Sequence, residues 1–412
     1  MKYSILLLLL SSMAYSQDTT QFKVEGRRNN AAAQKQPYVI MISADGFRYD
    51  YAEKYQAEHL LQFSREGVKA ASMIPSFPSL TFPNHYSIAT GLYPSHHGIV
   101  ANGFYDAARK EVYSMSNKPM VRDGSWYGGT PLWVLAEQQQ MVSASMFWVG
   151  SEADVKGIRP SYYYYYSEKI PMGDRIKAVK DWLNLPEEQR PHFITFYVSE
   201  PDHAGHNFGP DAVETARAVK TVDSIVYQLT EAVSATGLPV NYIFVSDHGM
   251  TKVNESSLPI PAVIDTTKFL ISSSSTMLAL YAKDKADIRP LYETLKKEEL
   301  HYKTYLKTNT PAEFCYNDTY DRMNRIGDIL LVPEWPYVFS VPKSGPGHHG
   351  FPPLQVKDMH ATFIAWGPAF KQHLNIPSFE NVNIYPLIAE ILGLKISEPV
   401  DGSKEVLHGI LK

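Results

Sequence analysis

From Tyr38 onward, short apolar runs alternate with amphipathic stretches, the pattern of a mostly parallel sheet flanked by helices. Tyr38 to Ala44, Val142 to Val149, His192 to Val198, Tyr242 to Ser246 and His360 to Trp366 are brief and rich in β-branched and aromatic residues, so they predict strands. Between about Pro210 and Ala235, Val213, Ala216, Val219, Val222, Val226, Leu229 and Val233 recur at three and four residues, which predicts a helix that Thr236-Gly237 stops. The rhythm breaks from about Ser256 to Pro346. There a serine run (Ser272 to Ser275), a helical pattern from Ile288 to Glu299 and a strand at Asp328 to Val332 predict a smaller inserted α+β subdomain. The expected organisation is an α/β core over 37–255 and 347–412, with the insertion at 256–346.

The first residues read as an address label. Lys2, the apolar run Ile5 to Leu10 and Ala14-Tyr15-Ser16 follow the order of a secretory signal peptide over 1–16, with cleavage before Gln17 and a flexible segment over 17–36. No later apolar stretch has the roughly 18 residues that a membrane span needs. The expectation is an exported chain, periplasmic or secreted, without a transmembrane anchor.

Composition narrows the class. A chain of 412 residues with 44% hydrophobic and 20% charged side chains can bury a large core, which excludes general disorder. With 39 Lys and Arg against 43 Asp and Glu, the net charge of −4 offers polyanions no general attraction, so nucleic-acid packaging is excluded. The one cysteine, Cys315, has no partner within the chain and predicts a packed thiol.

The chemistry begins where strands end. Asp45, Asp202 and Asp247 each close an apolar run, and the carboxyl ends of parallel strands form the crevice where ligands bind. His206 stands one helical turn after Asp202, His248 adjoins Asp247, and His349 lies in the glycine-rich GPGHHGF. Three carboxylates and three imidazoles suit borderline divalent metals, and two zinc ions are the natural occupancy. His348 is an alternative to His349, which is preferred because Gly350 follows it. Within PSFPSLTFPNHYSIATG, Thr81 falls where a helix N-cap belongs, at a partially positive helix end where a metal-bound hydroxyl would ionise readily. Ser76 and Ser79 are rivals by residue type.

Read together, SADGFRYDY, SFPSLTFPNHYSIATGLYPSHHGIVANGFYD, WVGSEADVKGIRPSYY, YVSEPDHAGHNFGP, VSDHGM and GHHGF resemble the nucleotide pyrophosphatase/phosphodiesterase family of the alkaline phosphatase superfamily, in its bacterial single-domain form. The resemblance runs from about Tyr38 to the end and implies an alkaline-phosphatase-like fold. It implies one zinc held by Asp45, Asp247, His248 and the Thr81 oxygen, and a second held by Asp202, His206 and His349. It implies Thr81 as nucleophile through a phosphothreonine, and Asn102 as the amide that binds a non-bridging phosphoryl oxygen. For the substrate's second substituent it implies aromatic stacking, for which Phe82, Tyr197 and either Tyr165 or Tyr166 are the candidates. One departure is local: Trp148-Val149-Gly150-Ser151 lacks the proline of the family's WPGS turn.

The implied product is a nucleoside 5′-monophosphate released from a diester or phosphoanhydride. Two zinc ions, three aspartates and an alkoxide are together formally near neutral, which suits a diester monoanion better than a phosphate dianion. Lys156 and Arg159 are the nearby cations to account for. The alternatives are a phosphomonoesterase or a choline-lysophospholipid phosphodiesterase on the same scaffold, or an exported metal- or nucleotide-binding protein without turnover. The oligomeric state is left open.

Overall fold

A computed structural model describes residues 19–254, 256–340 and 345–412. The expected signal peptide over 1–16 lies outside these residues. The centre is a nine-stranded sheet. In spatial order its strands are Gln21–Lys23, Tyr162–Tyr164, Ser143–Met146, Phe193–Val198, Tyr38–Ala44, Val240–Val245, Phe363–Trp366, Val68–Ala70 and Leu374–Ile376. The five runs read as strands from hydropathy are all present, three trimmed by a few residues and the one expected from Tyr242 starting at Val240. The expected parallel direction holds for four of them and fails for the fifth. Ser143–Met146, Phe193–Val198, Tyr38–Ala44 and Val240–Val245 pair in parallel, whereas Phe363–Trp366 runs antiparallel to both its neighbours. A run buried on both faces looks the same in either direction.

The central strands are largely apolar because both faces are covered. All seven residues of Tyr38–Ala44 are buried. Val39 and Met41 point into one core with Ile243 and Val245, while Ile40 and Ile42 point into the other with Tyr242 and Phe244. The helix Val213–Ser234 covers the second face with Val219, Val222, Val226, Leu229 and Val233. Val213, at its first turn, is exposed and contributes nothing to that stripe.

The segment expected to be flexible, 17–36, contributes to the fold through its described residues. Gln21–Lys23 pairs antiparallel with Tyr162–Tyr164, and the Asn29 side chain donates to the Glu187 and Arg190 carbonyls. The polar composition there concealed a sheet edge.

Inside the expected insertion lies a second sheet, in the order Phe269–Ser274, Met277–Ala282, Ile329–Pro333 and Tyr302–Leu306, packed on the helix Ile288–Lys297. Leu278, Leu280, Ile329 and Leu331 face that helix. Met277, Ala279, Tyr281, Leu330 and Val332 face the other way and join the same core as Val39 and Met41. The insertion therefore shares its buried face with the main sheet, and Arg325 fixes it further. That guanidinium bonds Asp106 Oδ2 at 2.9 Å and donates to the Gly98 and Trp126 carbonyls.

Candidate active site

Three adjacent central strands deliver the carboxylates. Asp45 directly follows Tyr38–Ala44, Asp202 begins the helix Asp202–Phe208 after Phe193–Val198, and Asp247 lies two residues past Val240–Val245. Their main chains interlock, with Asp202 N–H donating to the Asp45 carbonyl at 3.1 Å and Gly46 N–H to Asp247 Oδ1 at 3.1 Å. Gly46 is required at that turn. Its φ is +67°, and a Cβ there would lie 3.0 Å from the Asp202 Cα.

The three histidines share one orientation. Nδ1–H of His206 donates to the Gly347 carbonyl at 2.8 Å, that of His248 to Gly249 at 2.8 Å, and that of His349 to Ser79 at 2.9 Å. Because a carbonyl only accepts, the proton resides on Nδ1 and each Nε2 lone pair is left for the cluster. There Nε2 of His349 lies 3.1 Å from Nε2 of His206, and Nε2 of His248 lies 3.0 Å from Asp247 Oδ2 and 3.4 Å from Asp45 Oδ1. Asp202 Oδ1 is 3.5 Å from His206 Nε2 and 3.6 Å from His349 Nε2.

With neutral imidazoles, these contacts set lone pair against lone pair. Asp45 Oδ1, Asp202 Oδ1 and Asp247 Oδ2 are buried and accept no hydrogen bond, a costly arrangement unless a cation stands between them. Burial, and next the charges of Asp247 and Asp202, push the Asp45 carboxyl well above its usual range. Burial also holds the His349 imidazole well below its ordinary value, reinforced by His248 and His206, so its Nε2 keeps a lone pair for the cluster. Two imidazole nitrogens on one tetrahedral zinc, each at about 2.0–2.1 Å, stand about 3.3 Å apart, close to the His206–His349 spacing. The donor set fits divalent metal. Ligand atoms converge in two groups, Asp45 with Asp247 and His248, and Asp202 with His248 and His349. His248 thus reaches both groups, its ring stacked on His349 at 3.5 Å, while His206 approaches the second through Asp202 and His349.

Thr81 stands beside this cluster, its Oγ1 3.2 Å from His248 Nε2. Its position in the helix differs by one residue from the expectation. Leu80, with φ −112° and ψ 155°, is the N-cap of the helix Thr81–Thr90, and Thr81 is the first helical residue. The hydroxyl is therefore not spent on capping. Asn84 holds the turn instead, its amide donating to the Ser76, Pro78 and Leu80 carbonyls. The rival hydroxyls are occupied, Ser76 by Asn381 and Ser79 by the Phe351 carbonyl. His348 is occupied too: Nδ1 accepts from the Ser275 hydroxyl and Nε2–H donates to the Gly345 carbonyl. Of the histidine pair, only His349 offers a nitrogen to the cluster.

Asn102 is tied to the same helix end. Its Oδ1 accepts from Phe82 N–H at 3.0 Å, which leaves Nδ2–H as the free donor of the amide. Thr81, Phe82 and Asn102 are half-buried, above a floor of fully buried Asp45, Asp247 and His248. The tyrosines divide. Tyr166 is exposed and meets Tyr197 edge to face at 5.9 Å. Tyr165 turns away, packed against Phe22 at 4.5 Å beneath the Arg122 guanidinium. Tyr197 is brought in by a contact that residue type did not reveal, its hydroxyl donating to Asp45 Oδ2 at 2.6 Å. Lys156 is engaged by Glu398, and Arg159 by the Glu152 carbonyl and Asp154.

The profile of the type I phosphodiesterase / nucleotide pyrophosphatase family matches residues 39–352. The chain belongs to this family. Among its members, ectonucleotide pyrophosphatase/phosphodiesterase family member 1 of Mus musculus is 34% identical over 399 residues, which cover 91% of this chain and 43% of that one. Bis(5′-adenosyl)-triphosphatase enpp4 of Mus musculus is 34% identical over 380 residues, covering 90% of this chain and 81% of that one. The chain thus spans less than half the length of the member 1 protein. Among solved structures, human ectonucleotide pyrophosphatase/phosphodiesterase 5 superposes with a TM-score of 0.85 at 26% identity, covering 91% of this chain and 100% of that one. An inactive threonine-to-alanine variant of its murine counterpart, in complex with AMP, gives 0.85 at 25% identity, covering 92% and 100%. The fold is the mixed α/β architecture of those family structures. No helix among the described residues is long and apolar enough to cross a membrane.

Proposed function

We propose that this family member is an exported, zinc-dependent phosphodiesterase and nucleotide pyrophosphatase that releases nucleoside 5′-monophosphates by way of a phosphothreonine on Thr81. The observation that carries this reading is a hydroxyl free of structural duty, 3.2 Å from a histidine nitrogen, beside three carboxylate oxygens that accept no hydrogen bond. The ligand sets are Asp45, Asp247, His248 and Thr81 for one zinc, and Asp202, His206 and His349 for the other. Bound zinc would supply Lewis acidity, favouring ionised oxygen at neutral pH and offsetting the charge of the carboxylates and the phosphoryl group.

The remaining steps belong to the chain. Thr81 Oγ1, at the positive end of its helix, attacks phosphorus in line and the P–O bond to the leaving group breaks. Asn102 Nδ2–H donates to a non-bridging oxygen, an interaction that strengthens as charge develops there. Water then cleaves the Thr81–phosphorus bond, so that one diester and one water give one monoester and one alcohol, and one phosphoanhydride and one water give one monoester and one phosphate or pyrophosphate. Phe82, which follows the nucleophile, and the exposed Tyr166 offer ring faces for a nucleobase. The relative bound to AMP supports a nucleotide as substrate, and the inactivity of its threonine variant supports the assignment of Thr81.

The test compares the p-nitrophenyl ester of thymidine 5′-monophosphate with p-nitrophenyl phosphate, for the native chain and for Thr81→Ala. The diester should be hydrolysed faster by at least about 100-fold, and Thr81→Ala should lose turnover while keeping its metal. A Thr81→Ala protein that still turns over overturns the nucleophile. Faster hydrolysis of the monoester overturns the substrate class.

A further inference from the structure

The serine run at Ser272–Ser275 lies on the strand Phe269–Ser274 and in the turn to Met277–Ala282, and the reaction above makes no use of it. The Ser273 and Ser274 hydroxyls bond within the hairpin, whereas those of Ser272, Ser275 and the following Thr276 leave the insertion and end on the segments that carry the site. Ser272 Oγ donates to the Gly103 carbonyl at 2.7 Å, immediately after Asn102. Ser275 Oγ bonds His348 Nδ1 at 2.7 Å, and Thr276 Oγ1 donates to the His349 carbonyl at 3.1 Å. The fit at the second segment is close, since a Cβ on Gly350 would lie 2.0 Å from Thr276 Oγ1. Between the two anchor points the hairpin is fully paired, Ser272 opposite Ala279 and Ser274 opposite Met277, and Met277 and Ala279 are rooted in the main core.

We propose that this hairpin tip is a positioning clamp, which fixes the separation of the Asn102 amide from the His349 imidazole across the place where the phosphoryl group sits. The inference rests on the assignment of Asn102 as phosphoryl donor and His349 as metal ligand. Asn102 is held toward Thr81 by Phe82 N–H, but that bond restrains only the side chain. The main chain there is held by Met115 N–H at the Asn102 carbonyl and by the pairing of Gly103 with Ser114, and the Ser272 bond to the Gly103 carbonyl adds a tether from the insertion. A carbonyl released from such a tether moves by a fraction of an ångström, and transition-state donors are sensitive to displacements of that size. Ser272 and Thr276 are therefore positioning residues that act through Asn102 and His349 and touch no substrate.

The test is a double-variant cycle on Ser272→Ala and Asn102→Ala, with kcat, KM and zinc content measured for each protein. Ser272→Ala should lower kcat about tenfold with KM and zinc little changed, and Ser272→Thr, which keeps a hydroxyl, should recover most of the loss. In the Asn102→Ala background, Ser272→Ala should have no further effect, because the group it positions is gone. Independent, multiplying losses overturn the clamp while leaving the role of Asn102 intact, and so does a Ser272→Ala protein with native kcat. If Asn102→Ala itself has native kcat, the phosphoryl-donor assignment fails and the clamp falls with it. Thr276→Val supplies a readout apart from turnover: it should lose zinc on dialysis faster than Thr276→Ser, and equal retention by the two overturns that arm.

Discussion

The Tyr197 hydroxyl donates to Asp45 Oδ2 at 2.6 Å, while the other oxygen of the same carboxylate, Oδ1, is buried without a partner and faces His248 Nε2 at 3.4 Å. The two oxygens have separate duties. One is held by a phenol that stays protonated, because burial, and then the nearby Asp45 charge, push Tyr197 far above its ordinary range. The other is left for a cation. Hydrogen bonds that orient a ligating carboxylate typically account for about 10–100-fold in metal affinity. Tyr197→Phe keeps the ring against Tyr166 and His85 and removes only the hydroxyl. We expect the variant to bind zinc about tenfold more weakly in a competition titration, with nucleotide KM nearly unchanged. A raised KM with native zinc affinity would show instead that the residue serves the substrate.

The tyrosines mark one limit of what sequence conveys. Strand alternation puts Tyr197 on a definite side of the sheet, yet its hydroxyl finds a partner 152 residues away, which no local spacing encodes. The serine run is similar: its composition suggests a loop, whereas Ser272 to Ser274 pair as strand and direct hydroxyls to partners as far as 169 residues distant. By contrast, Asp45, Asp202 and Asp247 were legible because chain direction alone places strand ends together in a parallel sheet. His206 was legible because a helix fixes its offset from Asp202. The choice of His349 over His348 rested on Gly350 alone, whereas the structure separates the two through the Ser275 hydroxyl that occupies His348, a partner that spacing does not reveal.

Removing metal should cost stability as well as activity. With no cation, Asp45, Asp202 and Asp247 keep buried oxygens that accept no hydrogen bond, a penalty paid only by the folded chain. Cations that bind the fold and not the unfolded chain stabilise it by about 2.7 kcal/mol when free metal is 100 times the dissociation constant. Thermal unfolding in excess chelator should therefore fall by several degrees below the zinc-replete protein, and added zinc should restore it. Identical melting temperatures in the two states would mean that the cluster holds no ion in the folded protein.

The behaviour in acid should be governed in part by a histidine outside the cluster. His97 is fully buried, with Nε2–H donating to the Pro83 carbonyl at 3.2 Å and Nδ1 accepting from Ile99 N–H at 3.1 Å. Protonating Nδ1 would set one donor against another. Burial is the main cause that lowers this imidazole from its usual 6.5 to about 3. Since the folded pKa lies below the unfolded one, the unfolded chain binds the extra proton first. Stability is complete above about pH 6.5 and declines as pH falls toward 3, with a slope approaching about 1.4 kcal/mol per pH unit from this group. His97→Gln retains an amide donor and an acceptor without a titrating group. Urea unfolding at pH 7.5, 6 and 5 should show native and variant stabilities converging as pH falls, the native protein losing more. A difference that stays constant across that range would place the acid sensitivity elsewhere.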